Sequence, residues 1–254
     1  MIISAVVITK NSGKTLKKCL ESLFQVADEM IIVDSGSTDD TLRIAETYSC
    51  KVLNTTWLGY GLTKNIGHEA ALGTYVLSLD SDEELSSSLV AEILSVKNNL
   101  QGIYGFRRLN NYCGRWIRYG SWYPDKKLRL FPKEIRWNTA LSHEQLLLPD
   151  KKGIKWLNHP MLHYAYSSKA ELKSKTYLYA SLGASEKRGT NKLALLFKFI
   201  FSPLSTFIKS YLLKGGFLDG RFGFEISYHI ALGNFLRYRA LFKTEILGVK
   251  INNT

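Results

Sequence analysis

The first part of the chain predicts an α/β fold in which a mostly parallel central sheet is flanked by helices. Apolar runs at residues 2–8, 30–33 and 74–79 are rich in β-branched residues, which is the pattern of strands buried on both faces of a sheet. Segments with apolar residues at helical spacing lie between these runs, and parallel strands require crossover connections of that kind. Strand and helix alternate in this way from residue 2 to residue 82.

The remaining elements follow from the same two periodicities. The first helix is expected to bury one face that carries Leu16, Leu20, Leu23 and Phe24. In chain order, the pattern predicts helices at about 14–25, 40–48, 63–71 and 85–100, a strand at 51–53, an irregular region with short strands over 102–131, and a helix over 168–187.

The composition is that of a globular protein with an excess of positive charge. Hydrophobic residues make up 45% of the 254 residues and charged residues 22%, which excludes a disordered chain. A formal net charge of +12 and a pI near 9.5 indicate an anionic partner, whether nucleic acid, a nucleotide or a membrane surface. Three cysteines without C-x-x-C spacing favour a reducing, cytoplasmic location. The apolar N-terminus lacks the basic residues and cleavage site of a signal peptide and is predicted to be a strand.

Polar side chains follow three of the predicted strands, at residues 9–13, 34–40 and 80–84. Ligands of open parallel sheets bind outside the carboxyl ends of the strands, so we expect these loops to converge on one site. The third loop contains Asp80 and Asp82, whose carboxylates suit Mg²⁺ or Mn²⁺. The alternative is a solvated turn in which Asp82 or Ser86 caps the next helix.

Aromatic and basic residues alternate between residues 107 and 131. This pattern suits stacking on sugar rings or bases and pairing with phosphate. The alternative is an antiparallel sheet edge whose aromatic residues belong to the core. No helix-turn-helix, zinc or RNP-type motif accompanies the basic residues, so nucleic acid is not expected as a partner. A nucleic-acid-binding protein is kept as the alternative from another functional class, because of the basic charge.

Several segments occur in the order and spacing of a known enzyme family. Those in the predicted sheet are Val6–Asn11, Val33–Thr41, Lys64–Gly67 and Gly73–Asp82. Through them the chain resembles the family 2 glycosyltransferases, which have the GT-A fold. The later segments Trp122–Phe131, His143–Glu144 and His163–Tyr164 are most similar to bacterial lipopolysaccharide core glucosyltransferases that act on inner-core heptose.

The resemblance implies that a UDP-sugar binds at the polar strand ends. It implies that Thr9, Asn11 and Asp34 lie against the base and ribose, and that Lys64 and Asp80 lie at the diphosphate. A carboxylate can accept a hydrogen bond from an imide N–H or a ribose hydroxyl, and a lysine offsets charge on the leaving UDP.

A divalent cation is the cofactor that the resemblance implies. Asp80 and Asp82 form a DxD motif that would hold Mg²⁺ or Mn²⁺ bridging the diphosphate, and His163 is a further candidate ligand.

An inverting transfer also needs a general base that takes the proton from the acceptor hydroxyl. Glu144 is the first candidate and Asp125 the second, while Trp122, Tyr123 and Arg129 are expected on the acceptor side. The resemblance thus implies a metal-dependent enzyme that moves a hexose, with glucose as the first candidate, from a UDP-sugar to the lipopolysaccharide inner core. A transferase for capsule or another lipid-linked glycan is the alternative.

The C-terminal part of the chain differs in character from the rest. We expect a GT-A domain over residues 1–166 and a helical segment over 167–254, with the oligomeric state left open. Residues 192–214 are apolar except for a narrow polar stripe, so an amphipathic helix is predicted there and a membrane-spanning helix is not. Because residues 192–254 contain nine Lys/Arg against three Asp/Glu, we expect peripheral binding to the cytoplasmic face of the inner membrane. The alternative is a helical pair that packs on the catalytic domain or on another subunit.

Overall fold

The computed structural model describes residues 1–139, 144–148, 153–185 and 191–245. These residues form two compact units. Unit 1 contains residues 1–109 and 125–164, and unit 2 contains residues 110–124 together with the helices that follow residue 165. The predicted division of the chain into 1–166 and 167–254 stays a prediction.

The alternation of strands and helices predicted for residues 2–82 is confirmed. The strands are β1 (Ile3–Thr9), β2 (Glu29–Asp34), β3 (Lys51–Asn54), β4 (Tyr75–Asp80), β5 (Glu83–Leu85), β6 (Ile103–Tyr112), β7 (Arg115–Ile117), β8 (Asp125–Pro132) and β9 (Ile154–Tyr166). The helices are α1 (Leu16–Phe24), α2 (Thr41–Thr47), α3 (Tyr60–Ala70), α4 (Ser87–Val96), α5 (Lys169–Ser185), α6 (Lys192–Ile208) and α7 (Gly220–Glu245).

The sheet of unit 1 has a parallel part and an antiparallel part. Strands β3, β2, β1 and β4 lie side by side and all run parallel, as the sequence predicts. Strand β8 then pairs antiparallel with β4 and with β6, and β5 pairs antiparallel with β9. The region expected to hold only short strands contains β6, which has ten residues. Arg107 and Arg108 interrupt its apolar pattern, and the charge of Arg108 is met by carboxylates described below.

Helices cover both faces of the parallel strands. On one face, Leu16, Leu20 and Leu23 of α1 are fully buried against the sheet, whereas Phe24, expected on the same face, is exposed. On the other face, α3 approaches the sheet at Gly67, where no side chain separates the helix from Val6 and Val33. Burial on both faces explains why β1 is apolar along its whole length.

The turn between β4 and α4 resolves one alternative from the sequence. Ser86 is the N-cap of α4, because its hydroxyl accepts a hydrogen bond from the Leu89 N–H at 3.2 Å. The structure therefore assigns the capping role to Ser86, and Asp82 is not needed for it.

Unit 2 is mainly helical, and α5 and α6 both pack against α7. Leu195, Tyr238 and Leu241 form one apolar cluster between α6 and α7. Helix α6 continues through Pro203 into a π-helical turn, Lys209–Leu213. Residues Leu193–Leu213 have a mean hydropathy of 1.4 and are long and apolar enough to cross a membrane by length and composition alone. By length and composition this segment could therefore span a membrane, whereas its polar stripe predicted that it would not.

A methyl group at position 67 would test the close approach of α3 to the sheet. We expect Gly67→Ala to lower the free energy of unfolding by about 1–3 kcal/mol, measured by urea denaturation. The reason is that the added Cβ would lie 2.3 Å from Val6 Cγ1 and 2.9 Å from Val33 Cγ2. The control is Gly233→Ala on α7, where the nearest atom would be Thr176 Cγ2 at 3.6 Å. Equal destabilisation by both variants would contradict this packing.

Candidate functional site

The three polar loops converge at the carboxyl ends of β1, β2 and β4, as predicted. Thr9 at the end of β1 is paired in register with Asp34 at the end of β2, and Ile8 is paired with Asp80 of β4. The hydroxyl oxygens of Ser12 and Ser81 lie 2.7 Å apart and join the first loop to the third. The site therefore lies on three adjacent strand ends of one sheet.

Asp34 holds the first two loops together. Its Oδ1 accepts hydrogen bonds from the hydroxyls of Thr9 and Ser37, and its Oδ2 accepts from the N–H groups of Gly36 and Ser37. Burial alone would raise the pKa of Asp34, but the hydrogen bonds from Ser37, Thr9 and Gly36 outweigh it and hold the pKa below its usual range. Four bonds fill the lone-pair sites of a carboxylate, so Asp34 would contact a ribose or base only in exchange for one of them.

Asn11 has a similar structural task. Its backbone is left-handed, with φ of 50°, and its Oδ1 accepts a hydrogen bond from the Thr38 N–H at 2.8 Å. Its own N–H donates to the Ser37 hydroxyl at 2.8 Å. Thr9, Asn11 and Asp34 thus shape the loops at the site, and their contact with a nucleotide stays a prediction.

Lys64 lies at the centre of the site and is fully buried. Its Nζ lies 2.9 Å from Asp80 Oδ1 and 2.8 Å from Glu144 Oε1, and 4.7 Å from the ring centroid of Trp137. Two carboxylates and an aromatic face compensate for the removal of the ammonium from water. The ammonium was expected at a diphosphate, but here it is closed from solvent, so it acts on the site through the carboxylates of Asp80 and Glu144.

Asp80 is held from the other side by Arg129. The Arg129 Nη2 lies 2.9 Å from Asp80 Oδ2 and 2.6 Å from Oε1 of the fully buried Glu83. Burial alone would raise the pKa of Asp80, but the charges of Lys64 and Arg129 outweigh it and hold that pKa well below its usual range. Arg129 was predicted on the acceptor side, but it is buried and forms ion pairs with Asp80 and Glu83.

The roles of Glu83 and Arg108 were not predicted from the sequence. Arg108 Nη1 lies 3.1 Å from Glu83 Oε1, and its Nη2 lies 2.7 Å from Asp125 Oδ2. Charges therefore alternate through Asp80, Arg129, Glu83, Arg108 and Asp125. The signal was present as two arginines in otherwise buried strands beside an acidic strand end, an arrangement that requires paired charges.

The two candidate bases occupy different parts of this network. Glu144 contacts Lys64, which it shares with Asp80, whereas Asp125 is paired with Arg108 and also with Lys127 Nζ at 3.4 Å. Glu144 is therefore linked to Asp80, at the end of β4, through Lys64. His143, which precedes Glu144 in the segment that resembles the lipopolysaccharide core glucosyltransferases, lies outside the described residues.

Asp82 and His163 form the part of the site best suited to a metal ion. Asp82 Oδ2 lies 3.4 Å from His163 Nε2, because β5 and β9 pair with Glu83 opposite His163. Ligand distances of about 2.0–2.2 Å allow one ion to contact two donors at this separation. Asp80 is less available, since both of its oxygens contact cations. Among the described residues no cluster of three or more His, Cys, Asp or Glu is arranged for a metal, so further ligands would come from phosphate or water.

The predicted acceptor residues Trp122 and Tyr123 belong to unit 2. Trp122 stacks on Tyr166, with ring centroids 5.5 Å apart, and both rings pack against the apolar cluster formed by Tyr112 and Ile117. The aromatic-core alternative therefore describes Trp122, while Tyr123 is half-buried. An acceptor contact by either residue stays a prediction.

Known proteins resemble this chain over most of its length. A family model described as glycosyl transferase family 2 matches residues 4–167. An uncharacterized glycosyltransferase of Rickettsia typhi is 31% identical over 270 residues, covering 99% of this chain and 89% of the relative. The lipopolysaccharide core biosynthesis glycosyltransferase LpsC of Rhizobium meliloti is 26% identical, covering 98% and 95%. The crystal structure of S. aureus TarS 1–349 in complex with UDP is similar with a TM-score of 0.49 and 19% identity, covering 99% and 93%.

Acid should weaken the contribution of Asp80 to stability. The pKa of Asp80 is lowered from its ordinary value of 3.8, so its contribution is complete above that pH and is lost as the pH falls toward the folded-state value. We expect Asp80→Asn to lower the free energy of unfolding by about 3 kcal/mol at neutral pH, since Lys64 and Arg129 lose a carboxylate. Urea denaturation should show the difference from wild type constant above about pH 5 and smaller below about pH 3.8.

The control for this prediction is Asp40→Asn. Asp40 is exposed and pairs only at the surface with Arg43, so its removal should cost well under about 1 kcal/mol. A difference for Asp80→Asn that is no larger than for Asp40→Asn, or that does not shrink in acid, would contradict the network.

Proposed function

The chain belongs to glycosyl transferase family 2, and from that premise we propose that it moves a hexose, with glucose as the first candidate, from a UDP-sugar to the lipopolysaccharide inner core. The observation that carries this proposal is the acidic end of β4, where Asp80 is clamped by buried cations and Asp82 faces His163. Similarity to a lipopolysaccharide core glycosyltransferase supports the acceptor. A transferase for capsule or another lipid-linked glycan is the second candidate.

The donor would bind across the ends of β1, β2 and β4. The loops held by Asp34 and Asn11 offer hydroxyl and amide groups to a base and ribose, and Thr9 lies at the end of β1 beside them. The diphosphate would lie toward Asp80 and Asp82. Lys64 and Arg129 form ion pairs with Asp80. Their positive charges partly neutralise the carboxylates at the end of β4, which the anionic diphosphate must approach.

Asp82 and His163 would hold Mg²⁺ or Mn²⁺, for which a carboxylate oxygen and an imidazole nitrogen 3.4 Å apart are suitable donors. When bound, such an ion offsets the negative charge that develops on the leaving diphosphate. Asp80 supports this arrangement by keeping the end of β4 in place, since its N–H donates to Glu83 and its carboxylate contacts two cations.

Glu144 would act as the general base. Its carboxylate takes the proton of the acceptor hydroxyl while that oxygen bonds to the anomeric carbon and UDP leaves from the opposite face. The contact with Lys64 fixes the position of the Glu144 side chain, and the same lysine contacts Asp80 on the donor side. Asp125 is the second candidate, and its two cationic partners hold it at the far end of the network.

We place the protein in the cytoplasm at the inner face of the membrane. Three cysteines without a disulfide pattern suit a reducing compartment, and the described ones are free thiols. The proposed donor is a soluble nucleotide sugar, whereas the proposed acceptor is anchored in a membrane. Peripheral attachment would bring the two substrates together.

Removal of the gene tests this function directly. We expect the mass of the core oligosaccharide to fall by one hexose and to be restored by the wild-type gene but not by Glu144→Gln. This variant keeps the shape of the side chain and a hydrogen-bond acceptor for Lys64 but cannot take up the proton. In vitro turnover should fall by about 10²–10⁴-fold, while UDP binding measured by calorimetry stays close to wild type.

The matched variant Asp125→Asn separates the two candidate bases. If Asp125→Asn loses turnover and Glu144→Gln retains it, Asp125 is the base. An unchanged core oligosaccharide after removal of the gene would contradict the lipopolysaccharide acceptor and direct the search to capsule or another lipid-linked glycan.

A further inference from the structure

One face of α6 is apolar and open to solvent. It is formed by Leu193, Phe197, Ile200, Leu204 and Ile208, which recur every three or four residues and are between 38% and 77% exposed. Only 11% of the most apolar window of this helix is buried. Proteins that stay in water rarely expose so continuous an apolar surface, so this one is expected to have a partner. We call these five residues the α6 face.

Four further exposed apolar residues follow α6 in the chain. Leu212 and Leu213 lie in the π-helical turn, Phe217 and Leu218 in the short 3₁₀ helix that follows, and all four are exposed. An exposed apolar side chain is unfavourable in water, and its transfer into an apolar medium is favourable. Exposed apolar side chains therefore continue along the chain from α6 into the π-helical turn and the 3₁₀ helix.

The opposite face of α6 is already occupied by α7. The ring of Phe199 stacks on Phe235 and Phe242, at centroid distances of 5.4 and 5.5 Å. Near the other end of α6, the Asn234 side chain donates to the Thr206 hydroxyl at 2.8 Å. These contacts fix the rotation of α6, so the α6 face cannot turn inward within unit 2.

Positive charge lies beside the α6 face. At about 100° per residue, Lys198 and Lys209 fall with Ser202 and Ser205 on a stripe about 120–140° from the middle of the α6 face. The exposed Phe201 lies between this stripe and the α6 face. Both lysines are exposed, and residues 192–254 contain nine Lys/Arg against three Asp/Glu. A long lysine side chain next to an apolar surface places its ammonium at head-group level while its stem stays apolar. The partner is therefore both apolar and anionic.

We propose that the α6 face docks on an anionic lipid bilayer, with α6 in the plane of the membrane surface and its lysines among the phosphate head groups. An amphipathic helix in this position buries its apolar side chains at the boundary between head groups and acyl chains. Anionic lipids add an attraction that falls with salt. Leu212, Leu213, Phe217 and Leu218 extend the same insertion.

The packing of α7 favours this orientation over a spanning one. If α6 crossed the bilayer, α7 packed along it would carry Glu225, Arg237 and Arg239 toward the hydrocarbon. Each charge at the centre of a bilayer is strongly unfavourable. An in-plane α6 leaves α7 on the aqueous side, where Glu225 keeps its contacts with Tyr112 and Lys169.

This inference deepens the proposed function, on which it rests only for the presence of the acceptor in the same membrane. Binding to vesicles can be measured without any sugar transfer. A failure of the membrane surface and a failure of the transferase assignment are therefore separate results.

The test is co-sedimentation of the full chain with vesicles of phosphatidylcholine, with and without phosphatidylglycerol. We expect binding to the anionic vesicles that weakens with salt and is at least about tenfold weaker for the double variant Phe197→Ser/Leu204→Ser. Lys198→Gln/Lys209→Gln should lose about fivefold for each lysine on the anionic vesicles. Phe24→Ser, which removes an equally exposed phenylalanine of unit 1, is the control and should bind as wild type.

Three results would overturn the proposal. The first is no binding to anionic vesicles, or equal binding by the wild type and Phe197→Ser/Leu204→Ser. The second is a stable dimer in light scattering that this double variant dissociates, because the α6 face would then join two copies of the chain. The third is resistance of the cellular protein to extraction by salt and alkaline carbonate, which would indicate that α6 spans the bilayer.

Discussion

A fully buried lysine ammonium lies between two carboxylates at the end of β4, and the arrangement of the site depends on it. Lys64 contacts Asp80 on one side and Glu144 on the other. Without it, two acidic side chains from distant parts of the chain would meet in a poorly solvated place and repel each other. With it, the residue at the donor side and the residue proposed as base are held in one geometry.

The rest of the charge network extends this logic. Arg129 and Arg108 alternate with Asp80, Glu83 and Asp125, so each buried or half-buried charge has an opposite partner. Such networks are costly to disrupt, because removing one member leaves another uncompensated. A protein with a net charge of +12 thus keeps an acidic strand end by surrounding it with internal cations, and it leaves Asp82 and His163 at the more open edge.

The parallel part of the fold and the place of the site could be predicted from the sequence. Apolar runs fix the strands, and the register of β1, β2 and β4 then brings their polar ends together. Side-chain pairing could not be predicted in the same way, since it depends on strands far apart in the chain. Arg129 was therefore predicted on the acceptor side, although β8 places it against Asp80. The sequence also left open whether Trp122 belongs to the core, where it stacks on Tyr166. Glu83 was recognisable as an acid, but its role depends on Arg108 and Arg129.

Calorimetry of UDP binding with and without Mn²⁺ tests most directly whether this strand end binds a nucleotide diphosphate through Asp82 and His163. Mn²⁺ should strengthen UDP binding by the wild-type protein and have little effect on UDP binding by Asp82→Asn. Glu46→Gln, which removes an exposed carboxylate at the C-terminal end of α2, should behave as wild type. Equal UDP affinity of the wild-type protein with and without Mn²⁺ would contradict metal-dependent binding of UDP at this strand end.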